Sequence, residues 1–199
     1  MLIIKSIRCI FADIMYFLGG ADTKALIDAD VRRNLKWDKK RDSIKSPLLR
    51  FNYLLLTKCE FRSVFYFRVK KRKCLSAFCK ALLPCPNTIE FGGEIGGGIL
   101  VSHYHSVICP HKAGINFRVG PGTVIDKGRD GKAGPSFGNN IYVASNSSVT
   151  GDISIGDNVI IGAGSSVSED LPGNGVYVGN PARFIKHIDD NEKLLNEIM

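Results

Sequence analysis

The chain has 199 residues, enough for one domain or two small ones with ample core. Its 44% apolar and 23% charged residues describe a soluble globular protein, and no stretch approaches the roughly 18 uncharged residues that crossing a membrane requires. The formal net charge is +8, yet no recognised nucleic-acid motif accompanies it, so nucleic acid is not expected as a partner.

The run from Met1 to Leu18 is apolar but broken by Lys5, Arg8 and Asp13, and it lacks a signal-peptide cleavage site. An amphipathic helix, buried or resting on a membrane surface, fits it. Asp22 or Thr23 is placed to cap a helix running toward Trp37, Pro47 starts another, and Leu48 to Leu83 is rich in helix-compatible apolar positions. Gly19-Gly20 and Pro84-Cys85-Pro86 punctuate this region. Residues 1 to 85 carry 19 Lys and Arg against 7 acids, whereas the remainder carries 8 against 12. The basicity peaks at Arg68-Val-Lys-Lys-Arg-Lys73, which suits peripheral contact with anionic lipid or an acidic polymer, or simply a solvated helix end. Six cysteines form no CxxC pair and have no metal-ligand spacing, and five lie in or beside the apolar first part, as expected of small hydrophobes in a reducing cytosol.

From Ile89 the chain changes metre. Counting in sixes gives Ile95, Val101, Val107, Ala113, Val119 and Ile125, then Phe137, Val143, Val149, Ile155, Ile161 and Val167. A period of six belongs neither to a helix nor to a flat strand. It predicts a parallel β-helix in which an aliphatic column points inward and three short sides close each turn. Nineteen of the 21 glycines lie between Gly92 and Gly179, where tight corners need them. Asp126 to Ser136 lacks aliphatic leaders and is expected, at least in part, as an extruded loop carrying Lys127, Arg129 and Lys132. After Leu171 the tail turns irregular and ends in a short polar helix near Asn191 to Met199. Three segments result: a basic helical part over 1–85, a β-helix over 86–170 and a tail over 171–199.

His103, His105 and His111 cluster within nine residues. As third residue of its unit His103 is expected to point outward, where an imidazole on a rigid wall can serve as a general base. His105 and His111, fifth in theirs, are expected to turn inward. Because the three directions differ, no metal site is expected.

Ile95-Gly-Gly-Gly-Ile-Leu-Val-Ser-His103, the paired units Ile155-Gly-Asp-Asn-Val and Ile161-Gly-Ala-Gly-Ser, and Val178-Gly-Asn-Pro-Ala-Arg183 resemble the hexapeptide-repeat acyltransferases, and within them the serine acetyltransferase group. The likeness covers Ile89 to Lys186, about half the chain; Phe61 to Arg68 is similar to a helix of the smaller capsule-associated members. The resemblance implies a left-handed β-helix, a cytoplasmic homotrimer, and acetyl transfer from acetyl-CoA bound between neighbouring subunits. It places His103 as the general base, Ala144, Gly162 and Ala163 along the pantetheine arm, and Arg183 and Lys186, ahead of Lys127, Arg129 and Lys132, at the coenzyme A phosphates. The group's Asp directly before the catalytic His is here Ser102, its upstream Asp is Thr88, and the His of its following loop is missing from Gly128 to Ser136. Glu90 is the candidate replacement carboxylate, its other reading being a solvated corner. These departures favour, as acceptor, a sugar hydroxyl in surface polysaccharide assembly at the inner membrane face over L-serine of cysteine biosynthesis. A noncatalytic solenoid scaffold is the competing class.

Overall fold

A computed structural model describes residues 2–36, 38–39, 42–70, 73–85, 88–128, 133–191 and 193. By its internal contacts the chain divides into two units, one of residues 1–87 with 97–100 and one of 88–96 with 101–199.

The first unit holds helices α1 (Leu2–Ser6), α2 (Ile10–Leu18), α3 (Ala21–Leu35), α4 (Pro47–Thr57), α5 (Cys59–Arg68) and α6 (Lys73–Leu82), with a single 3-10 turn, Ile7–Cys9, between the first two. Ser46 caps α4 by accepting from the Leu49 amide, and Pro47 occupies its first turn, where no amide is missed. The expected cap at Asp22 or Thr23 is not used: α3 starts at Ala21 with Gly20 in the cap position and no side-chain cap bond. Met15, Ile27, Leu54, Leu55, Phe61, Phe65 and Leu83 are buried together. Phe51 anchors the core through ring contacts with Tyr16, Phe61 and Phe65. One buried ion pair crosses it. Asp30 of α3 meets Arg68 of α5 in a two-pronged contact, Nε to Oδ2 at 2.8 Å and Nη2 to Oδ1 at 3.1 Å, and its Oδ1 also accepts the Gly98 and Ile99 amides at 2.8 Å each. Asn34 Nδ2 donates to the Ile99 carbonyl, and a Cβ on Gly97 would come within 2.7 Å of Ala29 Cβ. Burial pushes the Asp30 carboxyl up, and the guanidinium and the two amides oppose it.

The second unit is the expected solenoid. Its three sheets stack parallel strands one turn apart. The first holds Ile89–Phe91, Ser106–Ile108, Val124–Asp126, Ser148–Thr150 and Ser166–Val167; the second Glu94–Ile95, Lys112–Ala113, Ser136–Phe137 and Ser154–Ile155; the third Leu100–Val101, Phe117–Val119, Ile141–Val143, Val159–Ile161 and Gly175–Gly179, closed by an antiparallel return over Ala182–His187. This last hairpin occupies part of the tail that the sequence suggested was irregular. The polar helix expected there lies almost wholly outside the described residues.

The inward column differs from the count by sixes at Ile89, where Phe91 rather than Ile89 aligns with Ile108, and again at Val107. Ile108, not Val107, is fully buried, and it aligns with Ile125. Seven residues rather than six separate Val101 from Ile108, and five then lead to Ala113, so the metre is regained within one side. The extra residue falls in the corner of His103, Tyr104 and His105, where both histidines adopt left-handed φ, 78° and 64°. At the corner between the second and third sheets, Asn116, Asn140, Asn158 and Asn174 all take positive φ. Their side-chain amides bond one to the next at 2.9, 3.1 and 3.0 Å, a ladder that satisfies the corner while short side chains tolerate its backbone.

Candidate functional site

His103 belongs to one particular edge of the solenoid. In the third sheet Val119, Val143, Ile161 and Tyr177 stand in register, and Val101 heads the neighbouring strand. The residues after Val101, Val119, Val143 and Ile161 turn the corner toward the first sheet, Ser102, Gly120, Ala144 and Gly162, whereas Val178 after Tyr177 continues its strand into the closing hairpin. Their amides donate in series, Ser102 to the Val119 carbonyl at 2.9 Å, Gly120 to Val143 at 2.8 Å, Ala144 to Ile161 at 2.9 Å and Gly162 to Tyr177 at 2.8 Å. One position further on stand His103, Pro121, Ser145, Ala163 and Gly179. His103, Ala144, Gly162 and Ala163 therefore share one edge, spread over successive turns about 4.8 Å apart.

Small residues are required there. A Cβ on Gly120 would lie 2.6 Å from the Ser145 amide nitrogen, and one on Gly162 would lie 2.6 Å from the Val178 side chain. Thr123 Oγ1 closes the corner from inside, donating to the carbonyls of Gly120 and Ala144, and Ser147 Oγ does the same to Gly162. The outer rim stays open, with Ala163 and Gly164 exposed and Ala144 buried. Arg183 and Lys186 lie, exposed, on the closing hairpin at the C-terminal end of the same sheet, and Arg183 bonds the carbonyl of Ala182. Lys127 is exposed, whereas Arg129 and Lys132 lie outside the described residues.

His103 is exposed, as its place in the unit predicts. His105 and His111 are exposed too, which corrects the inward orientation expected of them. For His105 the seven-residue unit is the reason: an added residue at the corner shifts the phase, so that Ser106 and Ile108 fill the interior instead. Glu90 is exposed on the outer face of the first sheet, opposite Val107. Its charge reaches Cys109, whose thiol is raised chiefly by burial and further by Glu90 and Asp126. Ser102 and Thr88 are neutral, and the buried Thr88 hydroxyl makes no hydrogen bond. Sequence reasoning missed Thr123 and Ser147, although both fall at the fifth place of a unit, where a small hydroxyl can reach the carbonyls of the corner. An open cavity of about 330 Å³ lies at a different edge, between the second and third sheets, lined by residues including Glu94, Lys112 and Asn139. Among the described residues no group of three or more metal-ligating side chains converges.

No protein-family model matches the chain. A curated relative, serine acetyltransferase 1, chloroplastic, from Arabidopsis thaliana, is 39% identical over 101 residues, which is 49% of this chain and 32% of the relative, so the chain spans about a third of that protein's length. Among solved structures, a serine acetyltransferase of Neisseria gonorrhoeae is similar at TM-score 0.65 with 22% identity, over 87% of this chain and 70% of the other. That of Vibrio cholerae O1 biovar El Tor gives 0.66 with 17% identity, over 90% and 72%. Soybean serine acetyltransferase, complexed with serine, gives 0.61 with 23% identity, over 85% and 72%. The fold shared with these structures is the left-handed parallel β-helix with an N-terminal helical region.

Proposed function

We propose that this chain is an acetyl-CoA-dependent O-acetyltransferase acting as a cytoplasmic homotrimer. The observation that carries the proposal is the common edge of His103, Ala144, Gly162 and Ala163. An extended thioester arm can run along such a ridge, its acetyl end beside the imidazole and its phosphates toward Arg183 and Lys186. His103 takes the proton of an acceptor hydroxyl as the oxygen attacks the acetyl carbonyl; the carbon–sulfur bond then breaks, and the thiolate leaves with a proton returned from the imidazolium. Negative charge on the carbonyl oxygen calls for hydrogen-bond donors. The amides of Gly120, Ala144 and Gly162 are already bonded one turn along, so the donors must be other amides of the groove.

L-Serine is the acceptor that the named relatives favour, and it ranks first here, reversing the order inferred from the residues alone. One observation supports the sugar hydroxyl as the second reading: where the family places carboxylates this chain has Ser102 and Thr88, neutral groups that suit a polyol better than serine's ammonium. Glu90 remains a candidate to orient His103 in either case. The test is the release of coenzyme A thiol from acetyl-CoA by the purified chain, with L-serine or with a panel of sugars. Turnover of serine well above any sugar supports the first ranking, and sugar turnover without serine turnover reverses it. No turnover and no acetyl-CoA binding would leave a scaffold as the better account. Light scattering checks the trimer.

A further inference from the structure

The helical unit exposes a surface that acetyl transfer does not use. Along the first 18 residues Ile4, Ile7, Ile10, Ile14, Phe17 and Leu18 recur at helical spacing, and Ile4, Ile7 and Phe17 are 78%, 72% and 61% exposed. Phe78 of α6, 61% exposed, extends the patch and stacks its ring on Phe11 at 5.6 Å. Arg8 fastens the two elements together, donating from Nε at 3.2 Å and Nη2 at 2.8 Å to the Leu82 carbonyl. So many large exposed apolar side chains on one face mark an interaction site.

The charges around this face identify the occupant. Exposed Lys5, Arg8 and Lys80 lie on the same elements, and Lys24 sits over the rings of Tyr16 and Phe17 at 5.1 and 5.6 Å. The one carboxylate in residues 1–18, Asp13, is half-buried and accepts from Asn52, and residues 73–85 contain none. A second copy docking face to face would bring cations against cations. An anionic polymer would match the charge and leave the isoleucines in water. An anionic bilayer surface satisfies both, with apolar side chains entering the headgroup boundary and the ammonium and guanidinium groups meeting phosphate. No helix of the described residues is long and apolar enough to cross a membrane. We infer that the chain lies peripherally on anionic lipid through the face formed by α1, α2 and α6, with Ile7, Phe17 and Phe78 inserted and Lys5, Arg8 and Lys80 at the rim.

This inference does not depend on the acceptor. The full chain is to be sedimented with vesicles of phosphatidylglycerol and phosphatidylcholine, and with phosphatidylcholine alone. Binding to the anionic vesicles only is expected. An Ile7→Asp, Phe17→Asp double variant should lower it at least about tenfold, and Lys5→Glu with Lys80→Glu should lower it comparably and flatten its salt dependence. Soluble-acceptor turnover of both variants should match the parent, which separates failure here from failure of the acetyltransferase proposal. Absence of vesicle binding, equal binding by the variants, or a smaller oligomer in the Ile7→Asp, Phe17→Asp variant, showing that another copy covers the face, would overturn the inference.

Discussion

In the solenoid from Asn116 onward each turn repeats the bonds of the last: Val119, Val143 and Ile161 align, the amide after each donates one turn on, and the Asn116 to Asn174 ladder runs alongside. The helical unit instead concentrates specificity in single contacts, above all Asp30 with Arg68 and the amides of Gly98 and Ile99. A repeated structure distributes its stability over many similar interfaces, while one built on a buried ion pair concentrates it. The contrast also separates tasks. The repetitive unit supplies a ridge of aligned small residues, on which the proposed chemistry would run, and the irregular one buries titratable groups and exposes an apolar face.

Breaking the concentrated contact should cost most. Asp30→Ala leaves the Arg68 guanidinium buried without its carboxylate and is expected to destabilise the protein by about 3–5 kcal/mol in urea titration. A loss below 1 kcal/mol would mean that the pair carries little of this unit's stability. A single rung of the ladder should matter less. Asn158→Ala removes two amide bonds and puts a Cβ residue without local side-chain support at φ 54°, for an expected loss of about 1–2 kcal/mol. Asn158→Gly should lose less, because glycine accepts that backbone.

The smallest effect concerns Asp13 and has the opposite sign. Burial pushes its carboxyl up from 3.8 to about 6, with the Asn52 hydrogen bond opposing. The folded state thus favours the protonated acid, a contribution fully present below about pH 4 and lost as pH rises through 6. Asp13→Asn is accordingly expected to stabilise the protein at neutral pH by about 1 kcal/mol, discounted because the group is only half-buried, and to have no effect near pH 4. Melting temperatures across this pH range test the sign.

The same contrast decides what could be read in advance. The metre from Phe137 to Val167 is legible because each unit has six residues and opens on a buried apolar side chain. The outward place of His103 follows from counting on from Val101, which is itself buried. The seven-residue unit from Val101 to Ile108 was hidden, because Val107 and Ile108 are both acceptable leaders and the five-residue unit that follows restores the count. That slip misplaced His105. Asp30 and Arg68 are 38 residues apart with no repeat to connect them, so only the packing of α3 against α5 reveals the pair. The common edge of His103 and the small corner residues was half legible: the types were visible in sequence, and their alignment needed the register.

The central claim is that His103 acts as the base on this edge. Because its φ is 78°, His103→Asn is a better probe than alanine, since asparagine tolerates the left-handed region and cannot serve as the base. Acetyl-CoA turnover with whichever acceptor the thiol-release assay selects should fall about 10²–10⁴-fold in this variant, with its circular dichroism and melting temperature unaltered. Turnover equal to the parent's, in a protein equally well folded, would contradict the account.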